Sequence, residues 1–144
     1  MMKLREIMTK EVVRIHPEES AAVAARALQR YNIGALPVCG GDGKLCGLVT
    51  DRDLVTRCLA AERNPQYTRV RDIMTTGVVT APPDMDAAAA ASMMGRAQIR
   101  RLPVLENGRL CGMISLADLA VCPETEIDAG DALAEISSNL SQMG

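Results

Sequence analysis

The chain has 144 residues, a formal net charge of −2, and 48% hydrophobic against 24% charged residues; this suits one ordinary folded domain or two very small ones, and not a disordered chain. With no Phe, no Trp and only Tyr31 and Tyr67, it cannot offer repeated stacking surfaces to single-stranded nucleic acid, and its charge argues against a phosphate-backbone binder. No apolar run approaches the roughly 18 residues of a membrane span, the opening MMKLREIMTKE lacks a signal-peptide core, and an odd set of five cysteines without an export signal predicts reduced thiols in the cytoplasm.

Arg5–Met8 reads as a short helical lead-in to an extended Val12-Val13 piece. Pro17 then punctuates the chain, and Glu18 and Glu19 suit a helix N-terminus. Val23, Ala24, Ala27, Leu28 and Tyr31 recur at helical spacing, with Tyr31 expected to close this helix against the core. Two strands follow, Ala35–Cys39 and Lys44–Thr50, joined by Gly40-Gly41-Asp42-Gly43, then a helix over Asp51–Ala61 and a polar linker over 62–69. The order then restarts. Arg71–Met74 leads into Val78-Val79, Pro83 punctuates, and Asp84 and Asp86 precede a helix bearing Ala89, Ala90, Met93 and Met94. Strands Leu102–Leu105 and Arg109–Ser115 flank Glu106-Asn107-Gly108, and a helix covers Leu116–Val121. In the tail, Ala132, Leu133, Ile136 and Leu140 recur behind Asp128 and Asp131, which predicts an amphipathic helix that packs on its own module or on a second chain.

Sliding the sequence along itself places the segment from Arg5 over that from Arg71, and Gly43–Leu54 over Gly108–Leu119, with almost half of the aligned positions identical. A period of about 65 residues is too long for a common solenoid, so the chain is read as a duplicated subdomain. Each copy is β-α-β-β-α, too small to bury much core alone, and the two are expected to pack together.

The lead-in Ile7-Met8-Thr9, the run Asn32-Ile33-Gly34-Ala35-Leu36-Pro37-Val38 and Gly47–Leu54 resemble cystathionine-β-synthase (CBS) domains. Ile99–Val104 and Gly112–Leu119 match them in the second copy. The pair is similar to a Bateman module, with a first repeat over 1–64, a second over 65–122 and a tail over 123–144. The resemblance implies an α/β (α+β) fold with pseudo-twofold packing of the repeats, a helical tail, and a homodimer. It implies a regulatory, non-catalytic role: binding an adenosine-containing metabolite (AMP, ADP, ATP or S-adenosylmethionine type) in one or both inter-repeat clefts and passing occupancy to an effector protein. No cofactor is required, and no metal, membrane or nucleic-acid partner is expected.

Thr50-x-x-Asp53 and Ser115-x-x-Asp118 each stand where a strand enters a helix. Read plainly, each is a capping box. The functional alternative makes Asp53 or Asp118 the acceptor for two ribose hydroxyls, while the Thr50 or Ser115 hydroxyl and exposed backbone N–H groups bind phosphate. Arg52, Arg100 and Arg101 are the candidate phosphate cations, with solvated surface charge as the alternative. The base would lie among Val13, Ile15, Ile33, Gly34, Ala35 and Pro37 in one cleft, or Val79, Ala81, Ile99 and Pro103 in the other; core packing is the alternative for each. Because Gly34-Ala35 faces Arg100-Arg101 in the alignment, and Asp51-Arg52 faces Leu116-Ala117, unequal sites are expected.

Catalytic patterns are missing. The single His16 reads as a surface residue, and Gly40–Lys44 joins two strands without the helix a phosphate loop needs. Cys46 and Cys111 hold matched positions expected to be small and buried. Two rival functions remain: a dimerising structural or stress-associated protein with vestigial clefts, and a thiol redox sensor using Cys39 and Cys46, which flank one hairpin.

Overall fold

The computed structural model describes the backbone of residues 1–143 and the side chains of residues 1–138; Leu140 of the predicted tail stripe lies outside the described side chains. Helix α1 (Ala21–Tyr31) starts where Ser20 Oγ accepts the Val23 N–H at 3.2 Å and ends at Asn32 in the left-handed region. Helix α4 (Ala87–Ala97) repeats this with Asp86 as its cap and Gln98 as its left-handed end. The acceptors are thus Ser20 and Asp86, placed immediately before the first buried apolar residue of each helix, Ala21 and Ala87.

Each helix leads into an antiparallel hairpin. Strand β1 (Ala35–Cys39) pairs with β2 (Leu45–Thr50), and β3 (Arg101–Glu106) pairs with β4 (Arg109–Ser115), as two separate two-stranded sheets. Consecutive left-handed residues, Asn107 at φ 56° and Gly108 at φ 78°, form the tight turn of the second hairpin. The mixed α/β architecture with a helical tail is as expected, but the first strand of each repeat is reduced. Val12-Val13 and Val78-Val79 form no strands; pairing is confined to single parallel bridges, Ile15 to Val38 and Ala81 to Val104. Pro17 and Pro82-Pro83 follow at once, and a proline has no N–H with which to extend a ladder.

The helix predicted over Asp51–Ala61 is also modified. Helix α2 (Asp51–Asp53) runs into a π-helical stretch over Leu54–Leu59, where the Ala60 N–H reaches the Val55 carbonyl at 2.8 Å. Arg57, on that stretch, donates to the carbonyls of Ile73 and Met74 at 3.3 and 2.9 Å.

Two compact units result, and they do not follow the sequence repeats. One holds Val13–Val78 with Gly108–Leu110; the other holds Met1–Val12, Val79–Asn107 and the chain from Cys111 onward. The lead-ins are exchanged. Leu4 is fully buried in the core of the second repeat, where the Leu4 N–H reaches the Met85 carbonyl at 3.0 Å and Arg5 Nε pairs with Asp84 at 2.9 Å. In the other unit helix α3 (Val70–Ile73) contributes Val70 and Ile73 to the core of the first repeat, with Arg71 bound to Glu18 at 2.7 Å. Arg5 aligns with Arg71 and Asp84 with Glu18, so the same ion pair is made twice, each time between segments of different repeats.

Matched glycines admit these lead-ins. A Cβ on Gly47 would stand 2.4 Å from the Thr75 carbonyl oxygen, and one on Gly112 would stand 2.5 Å from Met8 Sδ. The tail docks in the same way: α6 (Glu126–Met143) lies along α4 and α5 (Leu116–Ala120), burying Ala129, Ala132 and Ile136. Gly95 lets α6 approach, because a Cβ there would sit 2.9 Å from Ala132 Cα, and the Thr125 hydroxyl ties the start of the tail to the Leu119 carbonyl at 2.7 Å.

Three side chains depart from expectation. Tyr31 is 49% exposed, with Arg30 over its ring at 5.6 Å, because Leu28 already fills the core face of the last turn. Cys46 is exposed and Cys111 half-buried: strand alternation turns their neighbours Gly47 and Gly112 inward.

Candidate functional site

Both predicted corners form complete capping boxes. The Thr50 hydroxyl accepts the Asp53 N–H at 3.0 Å while an Asp53 carboxylate oxygen accepts the Thr50 N–H at 2.9 Å. Ser115 and Asp118 make the same pair of bonds, both at 3.0 Å. Their surroundings then diverge.

In the first repeat Asp53 is only 5% exposed. Beyond the cap it accepts the Thr75 hydroxyl at 3.1 and 3.2 Å and faces Arg57 Nε at 3.8 Å. The first N–H groups of α2 are also occupied: Asp51 donates to the Gly34 carbonyl at 3.2 Å, and the Arg52 N–H to the Asp51 carboxylate at 2.8 Å. This corner is closed by its own side chains and carries the negative charge of Asp51. The Arg52 side chain is exposed.

The second repeat has Cys122 where the first has Arg57, and Leu116-Ala117 where it has Asp51-Arg52. Leu116 N–H donates to the Arg100 carbonyl at 2.9 Å. Among the described residues, no donor reaches the second carboxylate oxygen of Asp118, and the Ala117 N–H has no acceptor. Beside this corner opens a cleft of about 340 Å³ that gathers Arg100, Arg101 and Ser115 with Leu116, Ala117 and Ala120. Three of the predicted phosphate-binding residues, Arg100, Arg101 and Ser115, therefore line one cavity, whose two arginines can meet an anion; Asp118 is bonded to Ser115 but is not among the lining residues.

Across this cleft stand Glu126, Ala129, Gly130 and Leu133 of the tail, a placement that an amphipathic pattern alone does not reveal. Half of the predicted base-lining positions are buried in the fold. Ile15, Ala35, Pro37, Ala81 and Pro103 are buried; Val13, Ile33, Gly34 and Ile99 are half-buried; Val79 is exposed. The main chain of Ile15 is paired with Pro37 and Cys39, and that of Ala81 with Pro103 and Leu105, so these groups are engaged within the fold.

Outside the cleft, His16 is an exposed turn residue whose Nδ1 accepts the Glu18 N–H at 3.2 Å. Cys39 is buried while Cys46 is exposed, and burial pushes the Cys39 thiol above its ordinary value of 9.0. Among the described residues, no three His, Cys, Asp or Glu side chains cluster as a metal site would require.

The model of the CBS domain matches this sequence twice, over residues 4–60 and 70–122. The chain belongs to the CBS-domain family. As a CBS pair it is 37% identical over 137 residues to the CBS domain-containing protein YhcV of Bacillus subtilis, covering 95% of this chain and 96% of YhcV. It is 32% identical to hypoxic response protein 1 of Mycobacterium tuberculosis, covering 83% of this chain and 84% of that one. A crystal structure of Hypoxic Response Protein I with two coordinated zinc ions superimposes with a TM-score of 0.76 at 32% identity, over 83% of this chain and 97% of that chain. The CBS domain pair of MJ0100, in complex with 5′-methylthioadenosine and S-adenosyl-L-methionine, superimposes with a TM-score of 0.73 at 28% identity, over 83% and 94% of the two chains. No described helix is long and apolar enough to cross a membrane.

Proposed function

We propose that this CBS pair is a regulatory, non-catalytic module that binds an adenosine-containing metabolite at the corner of its second repeat. The carrying observation is the asymmetry of the two corners. Asp118 keeps a carboxylate oxygen for a ribose diol beside a cleft holding Arg100, Arg101 and Ser115, whereas Asp53 is satisfied by Thr50, Thr75 and Arg57. A cleft of about 340 Å³ lies in the size range of small-molecule sites, roughly 300–1,000 Å³. The adenosyl ligands of the MJ0100 pair support the ligand class.

In this reading Asp118 accepts the ribose hydroxyls, Arg100 and Arg101 hold the anionic group, and Ser115 exchanges its cap bond for a ligand bond. Thr50, Asp53 and Arg52 keep the first corner closed, so one ligand binds per chain. Occupancy reaches an effector, or a second copy in a homodimer, by shifting the populations of module arrangements, which requires a ligand that favours one of them.

Calorimetry of the full chain with AMP, ATP and S-adenosylmethionine tests this. One-to-one binding of at least one of them, weakened tenfold or more by Arg101→Ala and by Asp118→Ala, is the expected result. Heat from none of the three overturns the proposal and favours a structural role with vestigial clefts.

A further inference from the structure

The second repeat supplies the cleft with its cations and its hydroxyl, yet its own apolar contribution is slight. Leu116 is 5% exposed and belongs to the core, which leaves Ala117 and Ala120 on that side. The opposite wall comes from α6. Glu126, Ala129, Gly130 and Leu133 fall at i, i+3, i+4 and i+7, one face of the helix, and all four line the cavity.

The composition of this face is informative. Ala129 is buried under the helix, and Leu133, 44% exposed, leaves an apolar side chain at the cavity edge. Gly130 sits inside a helix, where glycine weakens the backbone, and a Cβ there would meet nothing within 4 Å. Gly95, by contrast, is glycine because α6 itself crowds it. The space beside Gly130 is therefore free room in the cleft, bounded by Leu133.

We infer that the tail helix is the base-binding wall of this site: a flat, uncharged ring lies over Gly130 against Leu133, with its anionic end toward Arg100 and Arg101. This rests on the adenosyl-ligand reading and extends it to specificity. Two arginines against Glu126 and the neighbouring Asp118 leave the site no net charge, and the cleft's volume is near the lower limit for a small-molecule site. The ligand class that fits is a nucleoside carrying one small anionic group, with a triphosphate opposed by both size and Glu126.

Calorimetry with AMP, ATP and S-adenosylmethionine on the full chain and four variants tests the assignment. Gly130→Leu, which fills the free space, is expected to weaken AMP binding tenfold or more while the melting midpoint without nucleotide stays at or above that of the parent. Leu133→Ala, which shortens a half-exposed side chain, is expected to weaken AMP binding several-fold with no change in the far-UV circular dichroism spectrum. Glu126→Gln is expected to narrow the preference for AMP over ATP. Undiminished AMP binding by both Gly130→Leu and Leu133→Ala, in a chain where Arg101→Ala abolishes it, overturns the tail wall and leaves the adenosyl-ligand reading standing. AMP silent in the unaltered chain, with ATP or S-adenosylmethionine bound, overturns the specificity assigned here and leaves that reading standing. Silence toward all three overturns both.

Discussion

Replacing Gly47 by Ala should destabilise this protein sharply, although alanine is ordinarily the better residue wherever backbone entropy decides. The added methyl would lie 2.4 Å from the Thr75 carbonyl oxygen and 3.2 Å from Met74 Sδ. The methionine can move; the carbonyl cannot without opening the Leu48–Thr75 bridge, whose two hydrogen bonds measure 3.0 and 2.8 Å. Relieving a contact about 1 Å too short forfeits both bonds at roughly 1 kcal/mol each and draws the Thr75 hydroxyl away from Asp53. A loss of about 2–3 kcal/mol is expected. The matched Gly112→Ala is the control, since its methyl would meet Met8 Sδ at 2.5 Å and Cγ at 2.8 Å, with the Thr9 carbonyl at 3.1 Å. Met8 is a flexible chain that can turn aside, so this cost should stay near 1 kcal/mol. Urea unfolding followed by far-UV circular dichroism suits a chain without Trp. Equal midpoints for the two variants, or a neutral Gly47→Ala, would refute the argument that lead-in docking fixes these glycines.

Gly95→Ala should loosen the tail, because its methyl meets Ala132 Cα at 2.9 Å; limited proteolysis should cleave α6 faster, despite the gain of roughly 1 kcal/mol in helix propensity. Asp53→Ala should cost about 2–3 kcal/mol, for it removes a cap, the Thr75 bond and the Arg57 partner, whereas Asp118→Ala should cost about 1 kcal/mol; chemical denaturation of the two variants gives the order directly. The hydrogen bond from Arg5, with its charge and that of Lys3, holds the Asp84 carboxyl below its ordinary 3.8, so its contribution to stability is present above that pH and is lost as pH falls through the lowered folded value. Asp84→Asn should flatten that part of the acid limb in a pH series of melts, and an unchanged acid limb would contradict the pairing.

The hairpins were legible because their signals are local. Val38 and Val49 fit a buried pleat, Asn107-Gly108 fits a tight turn, and a hydroxyl three residues before an aspartate marks both strand-to-helix corners. The exchange of lead-ins was not legible, since the Arg5 and Arg71 segments are nearly identical and either could pair with Glu18 or Asp84. Nor could alignment distinguish a closed corner from an open one. That difference rests on Arg57 against Cys122 and on the Thr75 hydroxyl that reaches Asp53, residues outside the motif that only folding brings to bear. The exposure of Cys46 was within reach, because two-residue alternation from the inward Gly47 already turns it outward. The role of Gly130 and Leu133 was not, for a helical stripe records that a face is covered without recording what it leaves open.

The crossed lead-ins also bear on the order in which a ribosome-bound chain can acquire structure. The unit built on Val13–Val78 is almost continuous, lacking only Gly108–Leu110, and its core residues from Ile15 to Ile73 emerge together. The other unit takes its first segment from the N-terminus and its last from the tail, so Leu4 must wait for Met94, Leu119 and Ile136 to be synthesised. Residues 1–12 are thus expected to be among the last to settle, with the early unit folding while Leu4, Ile7 and Met8 remain in solvent.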